Sequence, residues 1–354
     1  MSQQGHTASN KRGIAMRTIV NLQKQLVPDL LQVLEERFSI LQNVNLYQPI
    51  GRRALSENVG LTERQVRSEV DFLQEQGLLE ITSKGMYVTN EGSRILEELS
   101  GFMNELKGLH VLEEQLMEKL KTSNVIIVSG DSDEQDWVKQ EMGKVCVSYL
   151  KSVVSDNNTI AVTGGSTIAA IAEVMVPLNK EEDYLFVPAR GALGEKVEYQ
   201  STRIAEEMAK KANGNYSLLY VPDPIGEAAY ESLMEEPSIK SIVSKIKQAD
   251  IVLHGVGDAL KMAIRRNTTP DILEKLKEKQ AVSEAFGYYF DKEGNIVHKV
   301  PTVGLHLEDL KGIDHVITIA GGKSKGKAIA SYFKTGKSDL LITDEACAKE
   351  VLKG

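Results

Sequence analysis

Thiols are scarce in this chain, with only Cys146 and Cys347 among 354 residues. Two cysteines exclude a disulfide-stapled scaffold and a cysteine-built metal site, and they suit a reducing compartment. Long apolar runs are also missing, and nothing approaches the roughly 18 residues that a membrane span needs. The opening Met1-Ser-Gln-Gln-Gly-His-Thr-Ala-Ser-Asn10 lacks the apolar centre of a signal peptide. A cytoplasmic location without membrane contact is the expectation. The six histidines are scattered and none pairs visibly with a serine or cysteine nucleophile. Neither a Walker loop nor a Gly-x-Gly-x-x-Gly dinucleotide loop is present. No catalytic residue, metal ion or cofactor is therefore expected.

What is present is the composition of a globular protein, 42% hydrophobic and 26% charged. The length is too great for one ordinary core, so two domains are expected. The net charge of −8 argues against nucleic acid only until its distribution is considered, because residues 1–70 carry +3 and the remainder −11.

Residues 1–21 read as a disordered extension, with Met16 as a second candidate start, and residues 22–89 as a winged-helix DNA-binding domain. Leu30, Leu34, Phe38 and Leu41 lie at helical spacing. In Ile50-Gly-Arg-Arg-Ala-Leu-Ser-Glu-Asn-Val-Gly-Leu-Thr62, Gly60 supplies a tight turn and Thr62 an N-cap, and Val66, Val70 and Leu73 form the apolar face of the next helix. This is the helix-turn-helix arrangement. Alternation around Ser83-Lys84-Gly85 adds a hairpin, the wing. The candidate DNA contacts are Arg52, Arg53, Thr62, Arg64, Gln65, Arg67, Ser68 and Lys84; arginine can pair bidentately with guanine and glutamine with adenine. A helical module that binds protein rather than DNA is the alternative for the same pattern.

Residues 90–121 read as a linker helix, in which Ile95, Leu99, Phe102, Leu106 and Leu109 step by threes and fours as in a coiled-coil seam. Such a seam would serve a dimer or tetramer, though packing of the helix on its own domain explains the pattern equally well. From residue 122 to 354, short apolar runs alternate with amphipathic helices. The runs are 125–130, 160–165, 184–191, 218–222, 251–257, 316–322 and 340–344, with a hairpin inserted over 287–299. The fold class expected is α/β, a doubly wound and mostly parallel sheet behind the winged helix.

In such a sheet ligands bind beyond the C-terminal strand ends. The ends here are Gly164-Gly165-Ser166-Thr167, Arg190-Gly191, Gly255-Val256-Gly257 and Gly321-Gly322-Lys323-Ser324-Lys325, with Arg265 and Arg266 two helical turns beyond the third. A Gly-Gly turn after a strand is often only a turn. Several anion-ready loops on one edge of an acidic domain point instead to a small polyanion with more than one phosphate. Sugar-phosphate isomerases and deaminases share the architecture, and an enzyme of that kind with a fused winged helix is the alternative. The deaminases carry a histidine after Gly-Val/Ile-Gly-x-Asp-Gly, whereas this chain reads Gly255-Val256-Gly257-Asp258-Ala259-Leu260. His254, inside an apolar strand, reads as a core residue. Binding is favoured over turnover.

The motifs Val128-Ser-Gly-Asp-Ser-Asp133, Thr163-Gly-Gly-Ser-Thr-Ile168, Val187-Pro-Ala-Arg-Gly191, Glu284-Ala-Phe-Gly-Tyr-Tyr-Phe290 and Ala320-Gly-Gly-Lys-Ser-Lys325 resemble the SorC/DeoR-type bacterial repressors. The resemblance runs from about Leu22 to the C-terminus. It implies a repressor of a glycolytic operon whose partners are operator DNA, further copies of itself and a phosphorylated-sugar effector, fructose 1,6-bisphosphate. The effector positions it implies are Gly164, Gly165, Ser166, Thr167, Arg190, Ala192, Leu193, Gln200, Arg265, Glu284 and Lys325. Ser166 stands where the family shows threonine and keeps the hydroxyl. Ala192 stands where it shows glycine, which is harmless only at negative φ.

Overall fold

The computed structural model describes residues 19–20, 22–178, 183–192, 196–223 and 225–354. The chain divides into two compact units, Met1–Gly108 and Leu109–Gly354. Most of the extension expected over 1–21 lies outside the described residues. Within it, Ile19 and Val20 are helical, and Val20 packs in a small core with Leu31, Phe38, Met103 and Leu106.

The first unit contains α1 (Pro28–Tyr47), α2 (Arg52–Val59), α3 (Glu63–Glu75), β1 (Leu79–Thr82), β2 (Gly85–Val88) and α4 (Asn90–Leu106). Gly60 ends α2 at φ +68°, a left-handed conformation that suits a residue without Cβ, and Thr62 starts α3 with a reciprocal capping box to Gln65. The two strands pair antiparallel around Ser83-Lys84. Ile50 exchanges two backbone hydrogen bonds with Met86, fastening the wing to the start of α2. Val66, Val70 and Leu73 enter one core with Leu55, Leu79 and Met86.

The segment expected as one linker helix is two. α4 ends before Gly108, which sits at φ +68°, and α5 (Leu109–Leu120) belongs to the second unit. Leu109, the last residue of the expected seam, is buried in the second unit's core, whereas Leu106 is buried in the first. The left-handed backbone of Gly108 ends the helix, so the apolar stripe is not carried on one continuous helix.

The second unit is built on seven parallel strands: β3 (Asn124–Val128), β4 (Thr159–Val162), β5 (Leu185–Pro188), β6 (Asn215–Tyr216), β7 (Ile251–His254), β12 (His315–Ile319) and β13 (Leu340–Asp344). Their order is β3-β13-β12-β7-β4-β5-β6. Every residue of β7 and β13 is buried, as expected for strands covered on both faces. Side chains alternate between two cores, Val252 entering one and Ile251 and Leu253 the other. Among the covering helices, α6 (Asp136–Val153), α7 (Ser166–Val174) and α8 (Ser201–Ala212) lie against the second of these cores.

Two expectations need correction. Residues 218–222 do not form a strand of the sheet; β6 precedes them. Ala192 instead donates its N–H to the Val221 carbonyl and accepts from the Asp223 N–H, so this backbone is satisfied by a loop. The inserted hairpin is also part of something larger. A four-stranded antiparallel sheet runs β11-β10-β9-β8, from β8 (Gly257–Asp258), β9 (Ser283–Ala285), β10 (Tyr288–Phe290) and β11 (Ile296–Lys299).

His254 is fully buried, within hydrogen-bonding distance of the Thr318 and Tyr332 hydroxyls through Nε2. Burial pushes its imidazole from 6.5 down to about 4. The unfolded chain therefore binds more protons than the folded one between those values, and stability falls as pH drops through that window. We expect His254 to remove about 2 kcal/mol between pH 8 and pH 5. His254→Asn should be less stable overall but lose that much less on acidification, as read from urea midpoints at the two pH values. No helix among the described residues is long and apolar enough to cross a membrane.

Candidate functional site

The strand order reverses its chain direction between β4 and β7, and at their C-terminal ends lies a cleft of about 260 Å³. The loop after β4 forms one wall. A Cβ on Gly164 would stand 2.6 Å from the Tyr199 carbonyl, and Gly165 has φ +126°, so both positions require glycine. No side chain caps α7, and its first intrahelical bond runs from Ala169 N–H to Gly165. The amides of Ser166, Thr167 and Ile168 thus begin the helix without intrahelical partners, beside the Ser166 and Thr167 hydroxyls. Unpaired N–H groups and the positive helix end favour an anion.

After β7 the chain makes β8, which pairs with β9 at Gly257 and Glu284. This pairing carries Glu284 to the cleft across more than twenty residues of sequence. Asp258 caps α11 (Ala259–Arg265) by accepting from the Lys261 N–H, and Lys261 stands where the deaminase motif would place its histidine. α11 delivers Lys261 and Arg265 to the rim; both are exposed and neither pairs with a carboxylate among the described residues.

The floor is ionic and buried. Arg190 places Nη2 2.5 Å from Asp223 and Nη1 3.3 Å from Glu284. Arg266 donates to Glu284 at 2.8 Å and to the Tyr289 hydroxyl at 2.9 Å. The Gly287 N–H adds a third donor to Glu284 Oε1, at 2.7 Å. Burial would raise the Glu284 carboxyl, but Arg266, Arg190 and this amide together hold it below the usual range. Asp223 is raised, because its desolvation outweighs Arg190.

The cleft gathers Gly164, Gly165, Ser166, Thr167, Arg190, Gln200, Arg265, Glu284 and Lys325 from the expected positions. Ala192 is exposed, lies one residue beyond the lining Gly191, and has no positive φ. Leu193 lies outside the described residues. Two expectations change. Arg190 is not a free cation but is neutralised by two carboxylates. The glycine-rich loop after β12 is not open to an anion, since its amides already serve the chain's own aspartates. Asp344 accepts from Gly322, and Asp133 from the Ser324 N–H and hydroxyl. From this loop Ser324 and the half-buried side chain of Lys325 line the cleft, where desolvation pulls the Lys325 ammonium down and Asp133 partly restores it. Lys261 and Asp223 were not legible as site residues; Asp223 directly follows the run 218–222 that reads as a strand.

In the first unit, Arg64, Gln65, Arg67 and Ser68 are exposed on the first turns of α3, opposite its buried face, and Lys84 is exposed at the wing turn. Arg64 and Arg67 pair with no acid among the described residues. Arg52 pairs with Asp71 and Arg53 with Glu57. Gln65 Oε1 accepts from the Thr62 N–H and hydroxyl, so the amide cannot also present that oxygen for bidentate adenine pairing while the cap holds. Thr62 is likewise engaged as cap.

Comparison with known proteins agrees with both units. Residues 33–103 match the family model described as the CggR N-terminal DNA-binding domain, and residues 104–353 match that of a sugar-binding domain. The chain is 51% identical over 339 residues to the central glycolytic genes regulator of Priestia megaterium, covering 96% of this chain and 99% of that protein. It is 48% identical over 338 residues to the protein of the same name from Bacillus subtilis, with the same coverage of 96% and 99%. Among solved structures it is similar to a SorC family transcriptional regulator from Enterococcus faecalis, at 45% identity and a TM-score of 0.66, covering 69% of this chain and 100% of that one.

Proposed function

The chain belongs to the family of the central glycolytic genes regulators, SorC-type DNA-binding transcription regulators with a sugar-binding domain and not enzymes, and on that premise we propose that it represses a glycolytic operon until a phosphorylated sugar, fructose 1,6-bisphosphate foremost, binds its cleft. The supporting observation is that the uncapped start of α7 lines the same cleft as Arg265 and Lys261, two cations with no carboxylate partner among the described residues. One phosphate sits on the loop Gly164–Thr167 and the helix start. The other is held from the rim by Arg265, with Lys261 and Lys325 adding positive charge. Glu284 accepts a sugar hydroxyl on Oε2, because Oε1 already takes three donors and a carboxylate repels phosphate.

The repressor works in the cytoplasm as a dimer or tetramer, placing recognition helices in successive major grooves. Ligand can weaken DNA affinity only as far as it favours a different arrangement of the assembly. The helices on either side of Gly108 transmit that preference.

A thermal-shift series of phosphorylated sugars tests the ligand class. An effector at a hundred times its Kd should stabilise the chain by about 2.7 kcal/mol. Thr167→Ala combined with Arg265→Ala should abolish the shift and leave operator binding intact; an unchanged shift in the double variant would refute the site.

A further inference from the structure

The buried ionic group beneath the cleft contains two arginines and two carboxylates, so it offers an incoming anion no net charge. Its carboxylates are not equally held. Glu284 Oε1 receives Arg190, Arg266 and the Gly287 N–H. Asp223 receives one charged partner, Arg190, on Oδ2 alone. Its Oδ1, and Nε of Arg190, are buried without a partner among the described residues. Asp223 is therefore the carboxylate that can yield.

We propose that Asp223 is an affinity-setting residue, an internal competitor that pairs with Arg190 Nη2 and gives it up to the anionic group of an incoming ligand. The inference rests on reading the cleft as a phosphate-ester site. Burial supports it by raising the Asp223 carboxyl above the usual range, so its charge is the more easily released of the two. The Arg190 backbone does not depend on the ion pair. Its carbonyl accepts from the Ser201 hydroxyl at 2.8 Å, Gly191 donates to Val303, and Ala192 is bonded to Val221 and Asp223 through main-chain atoms. Removing the Asp223 charge should leave Arg190 in place and make the group net positive.

The test is calorimetric titration of the full chain and its Asp223→Asn variant with fructose 1,6-bisphosphate and with inorganic pyrophosphate. The variant should bind both about tenfold more tightly, the effect of removing one desolvated like charge from an anion site. That gain should vanish when Arg190→Gln is present in both chains. A positioning role for Asp223 would weaken binding, and a purely structural role could not tighten it. Equal or weaker binding by Asp223→Asn, or a gain that persists with Arg190→Gln, overturns the proposal. Should the asparagine variant fail to fold, Asp223→Ser carries the same expectation. If the unsubstituted chain binds neither compound, the phosphate reading of the cleft itself is overturned, an outcome distinct from a wild-type chain that binds and a variant that gains nothing.

Discussion

Arg64→Ala combined with Arg67→Ala is expected to reduce operator affinity by roughly two to three orders of magnitude, since a bidentate arginine–guanine contact is worth about 1–3 kcal/mol. Both side chains leave the exposed face of α3, whose orientation is set by Val66, Val70 and Leu73 in the core. Neither substitution touches the Thr62–Gln65 cap, and alanine is a strong helix former, so the unit should remain folded. Fluorescence anisotropy with operator DNA at fixed salt measures the loss. Stabilisation by ligand should survive in the same variant, because the cleft lies wholly in the second unit. Operator affinity within twofold of the unsubstituted chain would show that another surface reads the DNA.

Glu284→Ala is expected to cost the second unit about 3–5 kcal/mol, the consequence of removing one partner from a buried ion pair. Arg190 would keep only Asp223, Arg266 only the Tyr289 hydroxyl, and the Gly287 N–H would lose its acceptor. Glu284→Gln keeps an acceptor oxygen but no charge and should fall between the two. The sign of the pH effect follows from the depressed carboxyl. Glu284 stabilises the fold above the ordinary glutamate value of 4.5, and this contribution fades as pH falls through the lower folded value. Thermal unfolding of each variant at neutral and acidic pH measures both effects; a transition for Glu284→Ala matching the unsubstituted chain would mean the ionic group contributes nothing net.

These two sites differ in how far they could be read along the chain. The helix-turn-helix is local: turn, cap, apolar face and wing all fall between Gly51 and Thr89, so spacing alone places Arg64 and Arg67 on the outer face. The loop Gly164–Thr167 is also local, a strand running into a glycine turn and a helix start. Glu284 was reachable only through family resemblance, because it depends on β8 pairing with β9, and no local pattern reports a pairing across that distance. The loop after β12 misled for a related reason. Its glycines and lysines look like an anion site, but Asp133 and Asp344, nearly two hundred residues away and some twenty residues away, already fill it.

Sequence by itself therefore determined the two-domain plan, the parallel sheet, the recognition helix and one anion-ready turn, since periodicity, caps and glycine turns act over a few residues. Tertiary structure alone decided which charges are available. Arg190 and Arg265 are the same residue type in one cleft, yet Arg190 is buried between Asp223 and Glu284 while Arg265 is exposed and pairs with no carboxylate among the described residues. Whether a cation can meet a ligand depends on which distant carboxylates the fold brings against it, and on how little water remains to screen them.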